Sequence, residues 1–277
     1  MPSITHPSAD ETSFPGELAG QTALVTGAGG EIGGAIAAAL LAAGANVVWL
    51  GRSKPRLKAR ARELKAAVDR SLFLAADVRS ERQVSGAVRA VIKRFGEIGI
   101  LVNNAGARGA PAPLSQLSLK EWQEVIDTNL TGAFLLSRAC LPGMVHRRRG
   151  RIVNISSVAS RWGYPLRAAY AASKAALNSL TMTLAQEAGE AGVQVNAVSP
   201  GPVAGKAFDG VLAERAKALG ITGSQMRKQF MRPSALGRAV TVDDIVDAVL
   251  FLCSSRARNI TGQIIEVSAG YGLWPGA

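Results

Sequence analysis

Seven short apolar runs recur along the chain with helix-like segments between them, and this alternation leaves few architectures open. The runs begin near Thr22, Asn46, Leu72, Ile100, Arg151, Val193 and Gln263. Each is nearly continuous in apolar residues, as a strand buried on both faces requires. The intervening segments, among them 55–68, 81–95, 119–145, 168–188 and 242–253, carry helical patterning. Strand and helix in alternation give βαβ units, right-handed crossovers and one parallel sheet. The expectation is an α/β fold, a doubly wound parallel sheet with helices on both faces. The interval from Val198 to Gln263 is longer than a crossover needs. It holds an insertion, about 203–236, rich in Gly, Lys and Arg. Helices there are expected to lie over the carboxyl edge of the sheet, where open α/β sheets bind ligands. Residues 1–17 lack the apolar core of a signal peptide and read as a flexible tail. Residues 18–277 are expected to form a single domain.

Composition excludes several classes of function. Of 277 residues, 48% are apolar and 19% charged, which is globular rather than disordered. The two cysteines, Cys140 and Cys253, are far apart, so no disulfide framework is expected and the chain reads as cytoplasmic. With two histidines and no close Cys or His pair, no metal site is expected. His6 lies in the tail, so a Ser-His-Asp mechanism would rest on His146 alone. The net charge of +12 favours an anionic cofactor, an acidic substrate or nucleic acid. The arginines are scattered, however, and the one dense block, 146–151, reads as a solvated helix end. The uncharged stretch from Ile32 to Gly51 is long enough for a bilayer. Gly33-Gly34 and Gly44-Ala45-Asn46 interrupt it, so a helix, a Gly stop and a buried strand fit better than a membrane span.

Two local patterns carry chemistry. The first strand runs into Gly27-Ala28-Gly29-Gly30-Glu31-Ile32-Gly33-Gly34 and then an alanine-rich helix. A Gly-rich turn at a helix N-terminus lets a phosphate approach the backbone and favours its charge. The second strand ends in Gly51-Arg52, where an acidic residue would accept from a ribose 2′-hydroxyl. Arg52 can instead pair with a 2′-phosphate, which points to NADP, with NAD as the alternative. Farther on, Tyr170 and Lys174 stand at i and i+4 of a helix, on one face. A cation beside the phenol is expected to lower its pKa towards working pH and make it an acid or base for a carbonyl or alcohol. Asn154-Ile155-Ser156-Ser157 ends another buried strand just upstream.

These pieces resemble the short-chain dehydrogenase/reductase family over about residues 18–272. They occur in the family's order: Thr26-Gly27, Asp77-Val78, Asn103-Asn104-Ala105-Gly106, Asn129, Ser157, Tyr170 with Lys174, Ser199-Pro200-Gly201 and Thr261-Gly262-Gln263. The resemblance implies a Rossmann-type fold and a homodimer or homotetramer through the helices near 119–145 and 168–188. It also implies hydride transfer between a nicotinamide and a small carbonyl or alcohol. It makes Tyr170 the acid–base, with Lys174 lowering its pKa and bonding the ribose. Ser157 would polarise the carbonyl, and Asn129 would hold a relay water. Gly27, Gly29, Gly30, Ile32 and Arg52 would hold the pyrophosphate and adenosine end, with Asp77 and Val78 at the adenine. Asn104, Ala105 and Gly106 would line the cleft, and Pro200, Gly201 and Val203 would lie beside the nicotinamide.

Three departures stand out. Glu31 replaces a usual glycine, and a carboxylate beside a pyrophosphate is repulsive unless it turns to solvent. The usual threonine after Pro200-Gly201 is missing, and Ser268-Ala269-Gly270 replaces Asp-Gly-Gly. Substrate-pocket candidates are Arg108, Trp162, Tyr164, Arg167, Lys206, Phe208, Phe230 and Arg232. Their charge points to an anionic substrate. A dinucleotide-sensing regulator or nucleic-acid-binding protein is the alternative from another class; the intact Ser-Tyr-Lys-Asn set speaks against it.

Overall fold

The computed structural model describes residues 16–273; residues 1–15 of the expected tail, and 274–277, lie outside them. The strands are β1 (Thr22–Thr26), β2 (Asn46–Gly51), β3 (Ser71–Ala75), β4 (Ile100–Asn103), β5 (Gly150–Ile155), β6 (Val193–Pro200) and β7 (Ile264–Val267). They form one parallel sheet in the order β3-β2-β1-β4-β5-β6-β7. Each expected apolar run is one of these strands. Around the sheet lie α1 (Glu31–Ala42), α2 (Lys54–Glu63), α3 (Glu81–Phe95), α4 (Leu119–Ile126), α5 (Gly132–His146) and α6 (Ala168–Gly189). They are followed by α7 (Lys206–Leu219), α8 (Gly223–Met231) and α9 (Val242–Cys253).

Alternating side chains give the sheet two apolar faces. Val25, Val47 and Trp49 pack with Ile36 and Leu40 of α1 and Ile245 and Val249 of α9. Leu24, Val48 and Leu50 belong to the opposite core, with Val84, Val88 and Val91 of α3 and Leu136 and Met144 of α5. Each such buried side chain contributes about 1.5–3 kcal/mol, so the sheet is held from both sides. The stripe Val84, Ala87, Val88, Val91 repeats at helical spacing, Ser80 caps α3, and Gly96 in left-handed backbone ends it.

Two helices differ from the sequence reading. The pattern at 55–68 ends as a helix at Glu63, and Lys65 turns to a positive φ of 50°. The expected single helix 119–145 is broken by a π-helical turn, Asp127–Thr131. The uncharged stretch divides as expected into α1, a turn at Gly44 and β2, and among the described residues no helix is long and apolar enough to cross a membrane.

The winding reverses between β1 and β4, which opens a crevice at the carboxyl edge. The two helices of the insertion, α7 and α8, stand over that edge. The insertion leaves and rejoins the sheet side by side: Val203 bridges Val240, with Ala204 N–H to Val240 O at 2.8 Å.

Candidate active site

The crevice is built first from the end of β1. Thr26 Oγ1 accepts from the backbone N–H groups of Asn104 and Ala105, each at 2.9 Å, and Asn104 Nδ2 donates to Thr26 O at 2.9 Å. Gly27 has φ +65°, and a β-carbon there would stand 2.9 Å from Asn104 Nδ2. The glycine turn is thereby clamped against the end of β4, and Gly30 leads into α1 without a side-chain cap. A corridor of about 280 Å³ passes this turn, lined by Gly27, Gly30, Glu31, Ile32, Asn104, Ala105, Gly106 and, opposite, Val203 and Gly205. Exposed backbone N–H groups at a helix N-terminus suit a pyrophosphate. Gly29 is not among the lining residues; its carbonyl accepts from Arg56 Nε at 3.1 Å.

The corridor continues into a depression of about 160 Å³ lined by Gly51, Arg52, Asp77, Val78 and Arg79. Arg52 is exposed at its edge, beside Ser53, which caps α2. The Asp77 carboxylate is chelated by Arg79, Nε to Oδ1 at 3.0 Å and Nη2 to Oδ2 at 2.6 Å. That pairing holds the Asp77 carboxyl below its usual range. Sequence reasoning missed both Arg56 and Arg79; the signal for Arg56 was its place in the first turn of the helix that follows Arg52.

At the other end the corridor opens into a cavity of about 390 Å³. Ser157, Tyr170 and Lys174 line it together, with Gly106, Pro200, Gly201 and Val203. Tyr170 and Lys174 share one face of α6, and Ser157 follows β5, where its Oγ accepts from Ala159 N–H at 3.2 Å. Burial pushes the Tyr170 phenol above its ordinary value, against the Ser157 hydrogen bond and the charge of Arg108, which pull it down. The Lys174 Nζ is 5.9 Å from the Tyr170 ring centroid and donates to Ile155 O at 2.6 Å. Burial pushes the Lys174 ammonium itself down to about 8.

Asn129 sits behind this group on the π turn, buried. Its Oδ1 accepts from Ala107 N–H at 2.7 Å, and its Nδ2 donates to Ala107 O at 3.0 Å and Ser173 Oγ at 2.9 Å. A β-carbon on Gly106 would stand 3.4 Å from Asn129 Oδ1 and 3.8 Å from Lys174 Nζ, so a missing side chain keeps the space between them open. Ser173, another residue missed from sequence, ties this network to Tyr170 O at 2.7 Å.

Of the pocket candidates, Arg108, Trp162, Tyr164, Arg167, Phe208 and Phe230 line the cavity. Arg232 does not: it borders a separate groove with Gln225 and Lys228, because it caps the far end of α8. The side chain of Lys206 lies outside the described residues. Val211 and Tyr271 line the cavity without having been singled out. Pro202 and Val203 bring no hydroxyl to the place of the usual threonine.

The chain matches the family model described as short chain dehydrogenase over residues 21–215. It is 36% identical over 251 residues to 3-oxoacyl-(acyl-carrier-protein) reductase FabG of Staphylococcus aureus, covering 90% of this chain and 97% of that protein. It is also 36% identical over 256 residues to the protein of the same name from Aquifex aeolicus, covering 92% and 98%. Among solved structures it resembles an NAD+-bound xylitol dehydrogenase, with TM-score 0.83 and 32% identity over 91% of this chain and 99% of that one. Fold, motif order and sequence likeness agree: the protein is an enzyme of the short-chain dehydrogenase family.

Proposed function

We propose that the protein interconverts a carbonyl compound and the matching secondary alcohol, with Tyr170 as the acid–base and NADP(H) as the preferred cofactor. The observation that carries this is the meeting of Ser157, Tyr170 and Lys174 in one cavity, at the end of a corridor shaped for a dinucleotide. A nicotinamide held beside Pro200, Gly201 and Val203 supplies or accepts the hydride. The phenol, kept neutral by burial, donates its proton to the carbonyl oxygen in reduction and recovers it from the alcohol in oxidation. Ser157 Oγ bonds the same oxygen. The Lys174 ammonium stabilises the phenolate once the proton has left, and it would hold the ribose of the bound cofactor. Asn129 Oδ1 lies beside Gly106 on the side towards Lys174, where it would hold a relay water.

NADP(H) is favoured because Gly51 offers no carboxylate and Arg52 stands at the edge of the adenosine depression. Arg56, fixed on the glycine turn, adds a second cation nearby. The NAD+-bound neighbour keeps NAD(H) as the second reading. Arg108 faces both the corridor and the cavity, and its charge supports an anionic substrate. Exposed Phe134 on α5 and Met182 on α6 support a homo-oligomer through those helices.

The test is NADPH oxidation with a panel of ketones, repeated with Tyr170→Phe. That variant should bind NADPH as the wild type does and lose at least ~10²-fold in kcat. Near-wild-type turnover would remove Tyr170 from the mechanism.

A further inference from the structure

The wall of the cavity opposite Tyr170 is aromatic. Phe208 of α7 and Phe230 of α8 meet edge to face at 5.4 Å between centroids, and Phe230 continues to Tyr271 at 6.1 Å. On the other side Tyr164 stands 6.4 Å from Tyr170. Trp162 lies over Gly272, whose missing side chain leaves room for the indole. Among the described residues lining this cavity there is no Asp, Glu, His or Gln, and the Asn104 amide is already spent on Thr26 O.

A polyol entering such a space would give up its hydrogen bonds to water and find few side-chain acceptors in return beyond the Ser and Tyr hydroxyls. A flat apolar ring gains the burial and the ring–ring geometry together. The volume, about 390 Å³ with the nicotinamide end included, is near the small limit of the roughly 300–1,000 Å³ found for ligand pockets. We propose that the substrate is a compact ring-bearing ketone, or the matching secondary alcohol, whose ring packs against Phe208, Phe230 and Tyr271. This rests on the oxidoreductase reading above and narrows it.

The experiment compares kcat/KM, at saturating NADPH, for a bicyclic ketone (2-tetralone), a small acyclic ketone (2-butanone) and a straight-chain β-keto thioester (acetoacetyl-N-acetylcysteamine). Xylitol is assayed in the oxidising direction with NADP+ and NAD+. The bicyclic ketone is expected to lead by about 10-fold or more, the scale of one buried ring contact. Phe230→Ala should lower the ratio of bicyclic to acyclic ketone by about 10-fold, and Phe230→Leu should lower it less. Circular dichroism and NADPH binding identify a variant that has merely failed to fold. A preference for xylitol or the thioester, or a ratio unchanged in Phe230→Ala, overturns the proposal. If that other turnover still vanishes in Tyr170→Phe, the oxidoreductase reading survives without the ring. No turnover of any of the four overturns the ring proposal, and the wider ketone panel above then decides the oxidoreductase reading by itself.

Discussion

The carboxylate of Glu31 lies against the backbone of Gly205, so the first turn of α1 touches the start of α7 across the corridor. A β-carbon on Gly205 would come within 2.9 Å of Glu31 Oε1, and its φ of +147° suits only glycine. Glu31 is exposed, yet its carboxylate stays beside Gly205 at the wall of the corridor, where a pyrophosphate would pass. Glu31→Gln keeps the shape and removes the charge. The KM for NADPH should fall by about 2- to 5-fold, the scale of an exposed charge interaction. The difference should shrink in salt, as the Debye length drops below about 10 Å. An unchanged KM at low salt refutes the repulsion.

Lys174 is a cost to the free protein. Its pKa falls from 10.5 to about 8 on burial, so the folded state releases a proton that the unfolded state keeps between those values. Stability should therefore rise as pH increases from about 8 to 10.5, and the full cost, about 3 kcal/mol, is present below 8. Lys174→Met should melt higher than the wild type at pH 7 despite losing the bond to Ile155 O. That advantage should fade towards pH 10. A lower melting temperature at pH 7 contradicts this.

Arg52→Asp would remove the cation proposed to pair with a 2′-phosphate and place a carboxylate that can accept from a ribose at the end of β2. The ratio of kcat/KM for NADPH over NADH should fall by at least ~10-fold, the loss expected for one charge-assisted pair. A wild-type enzyme that already prefers NADH would refute the premise.

The charge of Arg108 can be read through salt. For a carboxylate substrate and its neutral amide, with cofactor saturating, kcat/KM for the acid should fall more steeply as ionic strength rises. Arg108→Ala should flatten that slope. Equal slopes for the two compounds in the wild type would show that the charge at the rim is idle.

Much of this was legible because it depends on local spacing. The i, i+4 relation of Tyr170 and Lys174 and the apolar continuity of β1 through β6 are properties of short windows. The break at Asn129 was not, because the partners that hold its side chain, the Ala107 backbone and Ser173, are distant in sequence. Arg232 was misplaced for a similar reason: its position in the insertion suggested the pocket, whereas the end of α8 turns it to the other groove. Nor does sequence reveal how deeply the Tyr170 phenol is buried, which pushes its pKa up.

The bridge between Val203 and Val240 has an evolutionary consequence. It pinches the intervening segment at its neck, so the chain between can be lengthened, shortened or replaced at little loop-closure cost. Two of the three aromatic residues of the substrate wall, Phe208 and Phe230, lie inside that neck, while the glycine turn and Arg52 lie outside it. The segment behaves as a cassette: exchanging it between relatives would transplant a choice of substrate and leave the choice of cofactor where it was.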